Sequence, residues 1–163
     1  MSRRKAEKLM RLATDLNNEG RVEEAIKVYK QVIKTDKDWS VPYYDLGLYY
    51  KYQLAWEKSY KLNATAARLD SNDKAAWWNM GIAATALRNW KMAKKAWRGF
   101  GLKIPFSLDA EELKMDIGKT PVRLKENKEV VWVERIDPAR GMIKNIPTEE
   151  SNRRYKDLSL IHI

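Results

Sequence analysis

The residues that most often carry protein chemistry are scarce in this chain. There is no cysteine, and the one histidine, His162, lies one residue before the last. Thiol nucleophiles, cysteine-bound zinc and iron–sulfur centres are thereby excluded, and we interpret His162 as a strand residue at the surface or at a sheet edge rather than as a ligand or catalyst.

Carboxylates offer no better starting point for catalysis. They include adjacent pairs such as Glu23 with Glu24 and Glu149 with Glu150, and neighbours on a helix or turn point in different directions. The sequence also has no glycine-rich phosphate loop and no zinc or calcium signature. We therefore predict that the protein is not an enzyme and has no catalytic residue, no metal site and no cofactor.

The charge of the 163-residue chain is unevenly distributed. Residues 1–107 hold 21 basic and 11 acidic side chains, which accounts for the whole net charge of +10, whereas residues 108–163 hold 11 of each. This break predicts two domains, 1–107 and 108–163, with Gly101 and Pro105 as helix-stopping residues at the boundary. No apolar run of 18 residues occurs, so we expect a cytoplasmic protein that does not engage a membrane.

A pattern of apolar and small residues recurs every 34 positions. Each copy has a large apolar residue, a small residue four positions later, and a second small residue in its other half, followed by a bulky residue in two of the three copies. The matching sets are Leu9, Tyr43 and Trp77; Ala13, Gly47 and Gly81; Ala25, Ser59 and Ala93; Tyr29, Asn63 and Trp97.

This pattern resembles the tetratricopeptide repeat (TPR), over three copies in residues 6–107. Asn63 and Ala84 depart from the family pattern, as do Lys37 and Ser71 where the family has proline. The resemblance implies a mainly α fold, a right-handed α-solenoid of three helix-turn-helix repeats. It also implies a protein-interaction scaffold that binds a peptide or protein segment in a concave groove.

Helical periodicity supports the same architecture. Apolar residues spaced at i, i+3, i+4 and i+7 predict amphipathic helices. Helices of this length are marginal alone, so the repeats must stack. The predicted helices are at about 3–18, 22–35, 40–53, 56–69, 74–88 and 90–100.

The concave groove would be lined by those residues of each first helix that do not face its partner helix. An apolar, aromatic strip of this kind marks an interaction surface. We expect aromatic contact for affinity, and hydrogen bonds from Arg11, Asn18, Lys51 and Asn79. The predicted groove residues are Met10, Arg11, Thr14, Asn18, Tyr44, Asp45, Leu48, Lys51, Tyr52, Trp78, Asn79, Ile82 and Thr85.

Three uses of this groove remain open at the level of sequence. It could bind a partner, or it could be filled by the C-terminal segment as in a regulatory or oligomerisation module. In the third use, its aromatic residues only fill out a tight superhelix or form a self-association surface. Relatives that clamp the acidic tails of heat-shock chaperones place Lys, Asn and Arg on these faces. The corresponding residues here predict no such clamp: Met10, Thr14, Asp45, Ala75 and Asn79.

A basic stripe is the weaker functional signal. Lys91, Lys94, Lys95 and Arg98 have the spacing of one helix face, and Lys58 and Lys61 could extend it. Clustered cations attract phosphate backbones, but no aromatic stacking platform lies between them. We therefore interpret the stripe as a solvated face and do not expect nucleic acid as the partner.

The C-terminal third changes from helical to strand periodicity. We predict a short helix at 107–117, capped by Ser107 or Asp109, and then three or four antiparallel strands at 122–124, 130–136, 142–146 and 158–163. Residues 137–141 would form the turn between the middle pair. This small antiparallel β segment would pack on the third repeat as a cap. Its last strand is either covered or continues in a longer chain.

Overall fold

A computed structural model describes residues 2–104, 110–124 and 128–160. In this part of the chain, six α-helices are followed by a four-stranded antiparallel sheet and one 3₁₀ turn, Glu149–Ser151. The helices are α1 (Ser2–Asn18), α2 (Val22–Thr35), α3 (Val41–Tyr52), α4 (Trp56–Leu69), α5 (Lys74–Ala86) and α6 (Trp90–Phe100). All six predicted helices are confirmed, with ends within two residues of those expected.

The helix ends follow from local chemistry. The side chain of Asp73 accepts a hydrogen bond from the Ala76 amide and caps α5, and Asn89 caps α6 in the same way. The turn inside each hairpin needs one residue in the left-handed region, and this residue is Gly20 in the first repeat and Leu54 and Arg88 in the others. These three positions are 34 residues apart, so the repeat extends to the backbone conformation of the turn.

Each hairpin closes where one helix presents a very small residue. A Cβ atom added at Gly81 would lie 2.6 Å from the Trp97 ring, and one added at Gly47 would lie 2.6 Å from the Asn63 amide nitrogen. In the first hairpin Ala13 fills this place and is buried with Tyr29. The close crossing that the small residues predicted is therefore present.

Asn63 explains why the middle repeat tolerates a break in the pattern. Its side-chain nitrogen donates to the Ser59 carbonyl at 2.9 Å, and the Ser59 hydroxyl donates to the Gly47 carbonyl at 2.9 Å. The Asn63 side-chain oxygen is buried and has no hydrogen-bond partner. A buried unsatisfied group costs about 1–3 kcal/mol, and the third hairpin has the same kind of cost, because the buried Thr85 hydroxyl and the Trp97 ring nitrogen also have no hydrogen-bond partner among the described residues.

The sheet follows the order β1 (Gly118–Arg123), β2 (Val130–Arg135), β3 (Arg140–Ile143) and β4 (Leu158–Leu160), with every neighbouring pair antiparallel. Along β2, Val131 and Val133 are buried, whereas Val130 and Trp132 are exposed. This alternation confirms a half-buried sheet. Residues 161–163, where the last strand and His162 were expected, lie outside the described residues.

The predicted helix at 107–117 is wrong over its described part. Residues 110–117 contain only a turn, a bend and irregular backbone. The Met115 amide donates to the Ile136 carbonyl at 2.6 Å and the Leu113 carbonyl accepts from Arg140, so these groups are used in tertiary contacts rather than in a helical ladder. Pro105, Ser107 and Asp109 lie outside the described residues.

We predict that Gly81→Ala lowers the free energy of unfolding by about 1–3 kcal/mol, because the new methyl group overlaps a buried aromatic ring. Gly47→Ala should cost less, since its neighbour is the tip of the Asn63 side chain, which can move. Urea denaturation followed by circular dichroism measures both. If the two variants lost equal free energy of unfolding, or if Gly81→Ala lost none, the close contact between Gly81 and Trp97 would be contradicted.

Candidate functional site

The concave surface becomes steadily more covered from the first repeat to the third. At one set of equivalent positions Thr14 is exposed, Leu48 is half-buried and Ile82 is fully buried. One turn further along, Asn17 is exposed while Lys51 and Thr85 are buried. Within the described residues, the concave surface is therefore open beside the first two repeats and covered beside the third.

The C-terminal region covers the third repeat. Ile82 and Trp97 belong to a buried cluster that also contains Leu113 and Ala139. A cavity of about 440 Å³ lies between the turn ends of the second and third repeats and the sheet, with Thr85 and Leu160 among its lining residues. Residues of the C-terminal region therefore lie against the concave side of the third repeat.

Arg140 joins segments of the C-terminal region to one another and contacts the third repeat through the Trp90 ring. Its guanidinium lies 4.7 Å from the centroid of the Trp90 ring and forms ion pairs, each of 2.6 Å, with the buried Asp137 and with Glu112. Burial lowers the pKa of Arg140, but the hydrogen bonds to Glu112 and Asp137 outweigh this effect and leave that pKa raised. The hydrogen bond from Arg140 in turn holds the pKa of Glu112 below its usual value. Arg140 is therefore a fixed cation.

Several predicted groove residues are structural. Trp78 packs edge-on against Trp97, with centroids 5.1 Å apart, and tilts against Phe100 at 4.7 Å. Tyr44 packs beside the buried residues Ala66, Ala67 and Ala76, and Met10 packs beside the Ala13 cluster. The expectation that hairpin packing does not need these side chains is wrong, because each fills space between helices.

Lys51 and Asn79 are occupied by each other. The Lys51 ammonium donates to the Asn79 side-chain oxygen at 3.0 Å, and both residues are buried. Burial lowers the pKa of Lys51. This buried hydrogen bond joins α3 to α5.

The open part of the groove is a pocket of about 340 Å³ between α1, α2 and α3. Of the predicted groove residues, Thr14, Asp45, Leu48 and Tyr52 line it, whereas Arg11 and Asn18 are exposed away from this lining. Sequence reasoning missed the residues of α2 and the flanking positions of α1 and α3. These additional lining residues are Asn17, Val22, Ala25, Ile26, Tyr29 and Tyr49.

Asp45 gives this pocket its electrostatic character. Its carboxylate makes no hydrogen bond or ion pair with any other described residue, and burial raises its pKa to about 6. Burial and the charge of Asp45 raise the pKa of Tyr29, which shares the pocket. At neutral pH the pocket therefore holds one uncompensated negative charge among three tyrosine rings.

The expected basic stripe is incomplete. Lys91, Lys95 and Arg98 are exposed, but Lys94 is fully buried. The buried residues of α6 (Ala93, Lys94, Ala96 and Trp97) span an arc of about 160°, given 100° per residue, and Lys94 stands at one end of it. It is thus covered with the packed face rather than displayed with its neighbours.

Comparison with known proteins shows the fold of the helical part. A solved structure described as "Second TPR of Spaghetti (RPAP3) bound to HSP90 peptide SRMEEVD" aligns with 58% of this chain and 88% of its own, with a TM-score of 0.53 and 23% identity. The six paired helices therefore have the TPR fold, a helical-repeat architecture.

Other comparisons add little. No family model matches the chain. The serine/threonine-protein kinase MEC1 of Kluyveromyces lactis is 42% identical over 45 residues, which is 28% of this chain but only 2% of that protein. So short a match carries no conclusion about activity. Among the described residues, none of the helices has the length and apolar character needed to cross a membrane.

We predict that Arg140→Ala lowers the free energy of unfolding by about 3–5 kcal/mol, because it leaves the buried Asp137 carboxylate without its cation. Lys144→Ala on the same sheet, which removes an ion pair with the half-exposed Glu134, should cost less than about 1 kcal/mol. Urea denaturation and amide exchange of α5 measure the difference. Similar costs for the two variants would argue against Arg140 as the residue that joins segments of the C-terminal region.

A second prediction concerns Asp45 and stability. Its folded pKa lies above the unfolded value of about 3.9, so between about pH 4 and 6 the native state binds more protons and the free energy of unfolding falls as pH rises. Asp45→Asn should therefore stabilise the protein by about 1–2 kcal/mol at pH 7 and have little effect near pH 4. Asp15→Asn, at an exposed position of α1, is the control. If Asp45→Asn destabilised the protein at pH 7, the raised pKa of Asp45 would be contradicted.

Proposed function

We propose that this protein is a non-enzymatic interaction scaffold whose open groove binds a segment of a partner protein through a lysine or arginine side chain. The observation that carries this proposal is the unpaired, partly buried carboxylate of Asp45 at the wall of the pocket. A buried charge without a counter-charge is costly. A cationic side chain entering the pocket would remove that cost and gain affinity from it.

The surrounding aromatic rings support the same ligand chemistry. Tyr29, Tyr49 and Tyr52 line the pocket with Asp45, and Tyr52 is 63% exposed. Ammonium and guanidinium groups are attracted to the faces of such rings by about 0.5–2 kcal/mol. An aromatic wall with one carboxylate thus favours a basic residue flanked by apolar residues.

Within this proposal the predicted groove residues take different roles. Thr14, Leu48 and Tyr52 contact the bound segment directly, and Arg11 and Asn18 contact it only where it extends beyond the pocket. Met10, Tyr44, Lys51, Trp78, Asn79 and Ile82 support the groove from within. An acidic chaperone tail does not suit a pocket whose charged group is a carboxylate, so we propose that heat-shock chaperone tails are not the partner.

The binding test uses a random 12-residue peptide library displayed to the wild-type protein and to Asp45→Asn. Wild type should enrich peptides with Lys or Arg at one fixed position. The enriched peptides should bind Asp45→Asn at least tenfold more weakly, although that variant is the more stable protein. Wild-type affinity should also fall as the pH is lowered from 7.5 to 5, because protonation through a pKa of about 6 removes the attracting charge.

Two controls separate the pocket from general electrostatics. Asp15→Asn removes the same charge from an exposed site on α1 and should bind the peptides like wild type. Tyr52→Ser should weaken binding; because the Tyr52 ring also lies 4.9 Å from the buried Lys51 ammonium, a thermal melt checks that this variant remains folded. Enrichment of acidic peptides, or identical enrichment by wild type and Asp45→Asn, would reject the proposal.

A further inference from the structure

A second groove lies on the opposite side of α3 and has a different character. We name it the lysine-rimmed groove. It encloses about 450 Å³ between α2, α3 and α4, and its lining is almost wholly apolar apart from its rim. The floor consists of Ile33, Tyr43, Leu46, Tyr50 and Leu62, and the rim of Lys30, Lys34, Lys58 and Lys61.

The two grooves use opposite faces of the same helix. At 100° per residue, the α3 residues of the lysine-rimmed groove (Tyr43, Leu46 and Tyr50) are centred about half a turn from Asp45, Leu48, Tyr49 and Tyr52 of the concave pocket. Occupation of one groove therefore leaves the other accessible, and the inference below does not depend on the function proposed for the concave pocket.

The four rim lysines are exposed and make no ion pair within the described part of the chain. Lys58 lies 5.0 Å from the centroid of the Tyr50 ring. Lys30 and Lys34 are four residues apart on α2, and Lys58 and Lys61 are three apart on α4, so each pair is a like-charge pair on one helix face. The two lysines of each pair therefore repel each other, and the Tyr50 ring beside Lys58 and Glu57, four residues before Lys61 on α4, offset this repulsion only in part.

The repeat supplies an internal comparison. The groove one repeat further on, between α4, α5 and α6, encloses about 480 Å³, and seven of its ten lining residues are 34 positions after residues of the lysine-rimmed groove. There Lys30 is replaced by Ala64 and Lys58 by Met92, while Lys34 and Lys61 are matched by Arg68 and Lys95. Groove shape is thus a property of the fold, whereas the four-lysine rim is particular to the first copy.

We propose that the lysine-rimmed groove binds an acidic amphipathic segment of another protein. Apolar side chains of the segment lie on the Leu46 and Leu62 floor, and its Glu or Asp side chains pair with the lysines on both rims. Association removes the mutual repulsion of the lysines and covers the apolar floor, so both features that are unfavourable in the free protein become favourable in the complex.

The test uses fluorescein-labelled synthetic 18-residue peptides and fluorescence anisotropy. The first has Leu at i, i+3, i+4 and i+7 positions with Glu elsewhere, the second has Lys in place of Glu, and the third has the Glu and Leu residues in scrambled order. We expect the first peptide to bind at least tenfold more tightly than the other two, and its affinity to fall when salt is raised from 50 to 500 mM.

A matched pair of variants locates the site. Lys34→Glu with Lys61→Glu should weaken binding of the Glu–Leu peptide at least tenfold, whereas Arg68→Glu with Lys95→Glu makes the same charge change at equivalent positions and should stay within twofold of wild type. Thermal melts confirm that both variants fold. Asp45→Asn should not change this binding, which separates it from the function proposed for the concave pocket.

Three outcomes would overturn the proposal. Equal losses in the two double variants would show attraction to the overall positive charge, and absence of binding by the Glu–Leu peptide would reject an acidic amphipathic partner. Tighter binding to vesicles of phosphatidylglycerol than to the peptide, with the same sensitivity to Lys34→Glu and Lys61→Glu, would assign the groove to an anionic membrane surface instead.

Discussion

The close approach of two helices at one residue per repeat is the constraint on which the remaining structure depends. Where Gly81 meets the ring of Trp97, and Gly47 meets the amide of Asn63, there is no room for a further carbon atom. Helices of this length do not persist alone in water. Only when each pair is in close contact do its outer faces have the spacing that allows the next pair to stack, and both kinds of groove lie between the stacked pairs.

The interior of the middle repeat is partly polar. It buries Ser59 and Asn63 inside its hairpin and contributes Lys51 to the contact with α5. Hydrogen bonds satisfy most of these groups, but the Asn63 oxygen lacks a partner and the Lys51 ammonium has only an amide oxygen and the Tyr52 ring beside it. Such polar contacts are more directional than apolar ones, so they fix the position of α3 between its neighbours at some loss of stability.

Sequence reasoning was most successful where a contact repeats. The 34-residue interval places the small residues, the helix ends and the left-handed turn position at the same point of each unit, and the strand alternation around Val131 and Val133 is equally local. The helix at 107–117 was wrong because its capping and periodicity signals are local, whereas its backbone groups are used by Ile136 and Arg140, which are distant in sequence.

The groove was predictable in outline but not in extent. Thr14, Leu48 and Ile82 occupy equivalent positions and have the same status in a repeat pattern, yet Ile82 is buried with residues more than 30 positions away. Tyr29 was assigned to the hairpin core, where it does pack, but it also lines the open pocket beside Asp45. Which copy of a repeated surface stays open is decided by what covers it, and no repeat pattern contains that information.

The surfaces on the two sides of α3 carry opposite charges. Asp45 is a lone carboxylate on the concave side, and four lysines surround the groove on the other side, in a chain whose net charge is +10. Neither group forms an ion pair with another described residue, and each lies beside apolar or aromatic surface. Asp45 is partly buried, where an unpaired charge costs stability, whereas the four lysines are exposed and remain hydrated. The lysines lie on α2 and α4, whereas the carboxylate lies on α3. Substitutions can therefore alter the charge of one surface without altering the other, and a partner for one need not resemble a partner for the other.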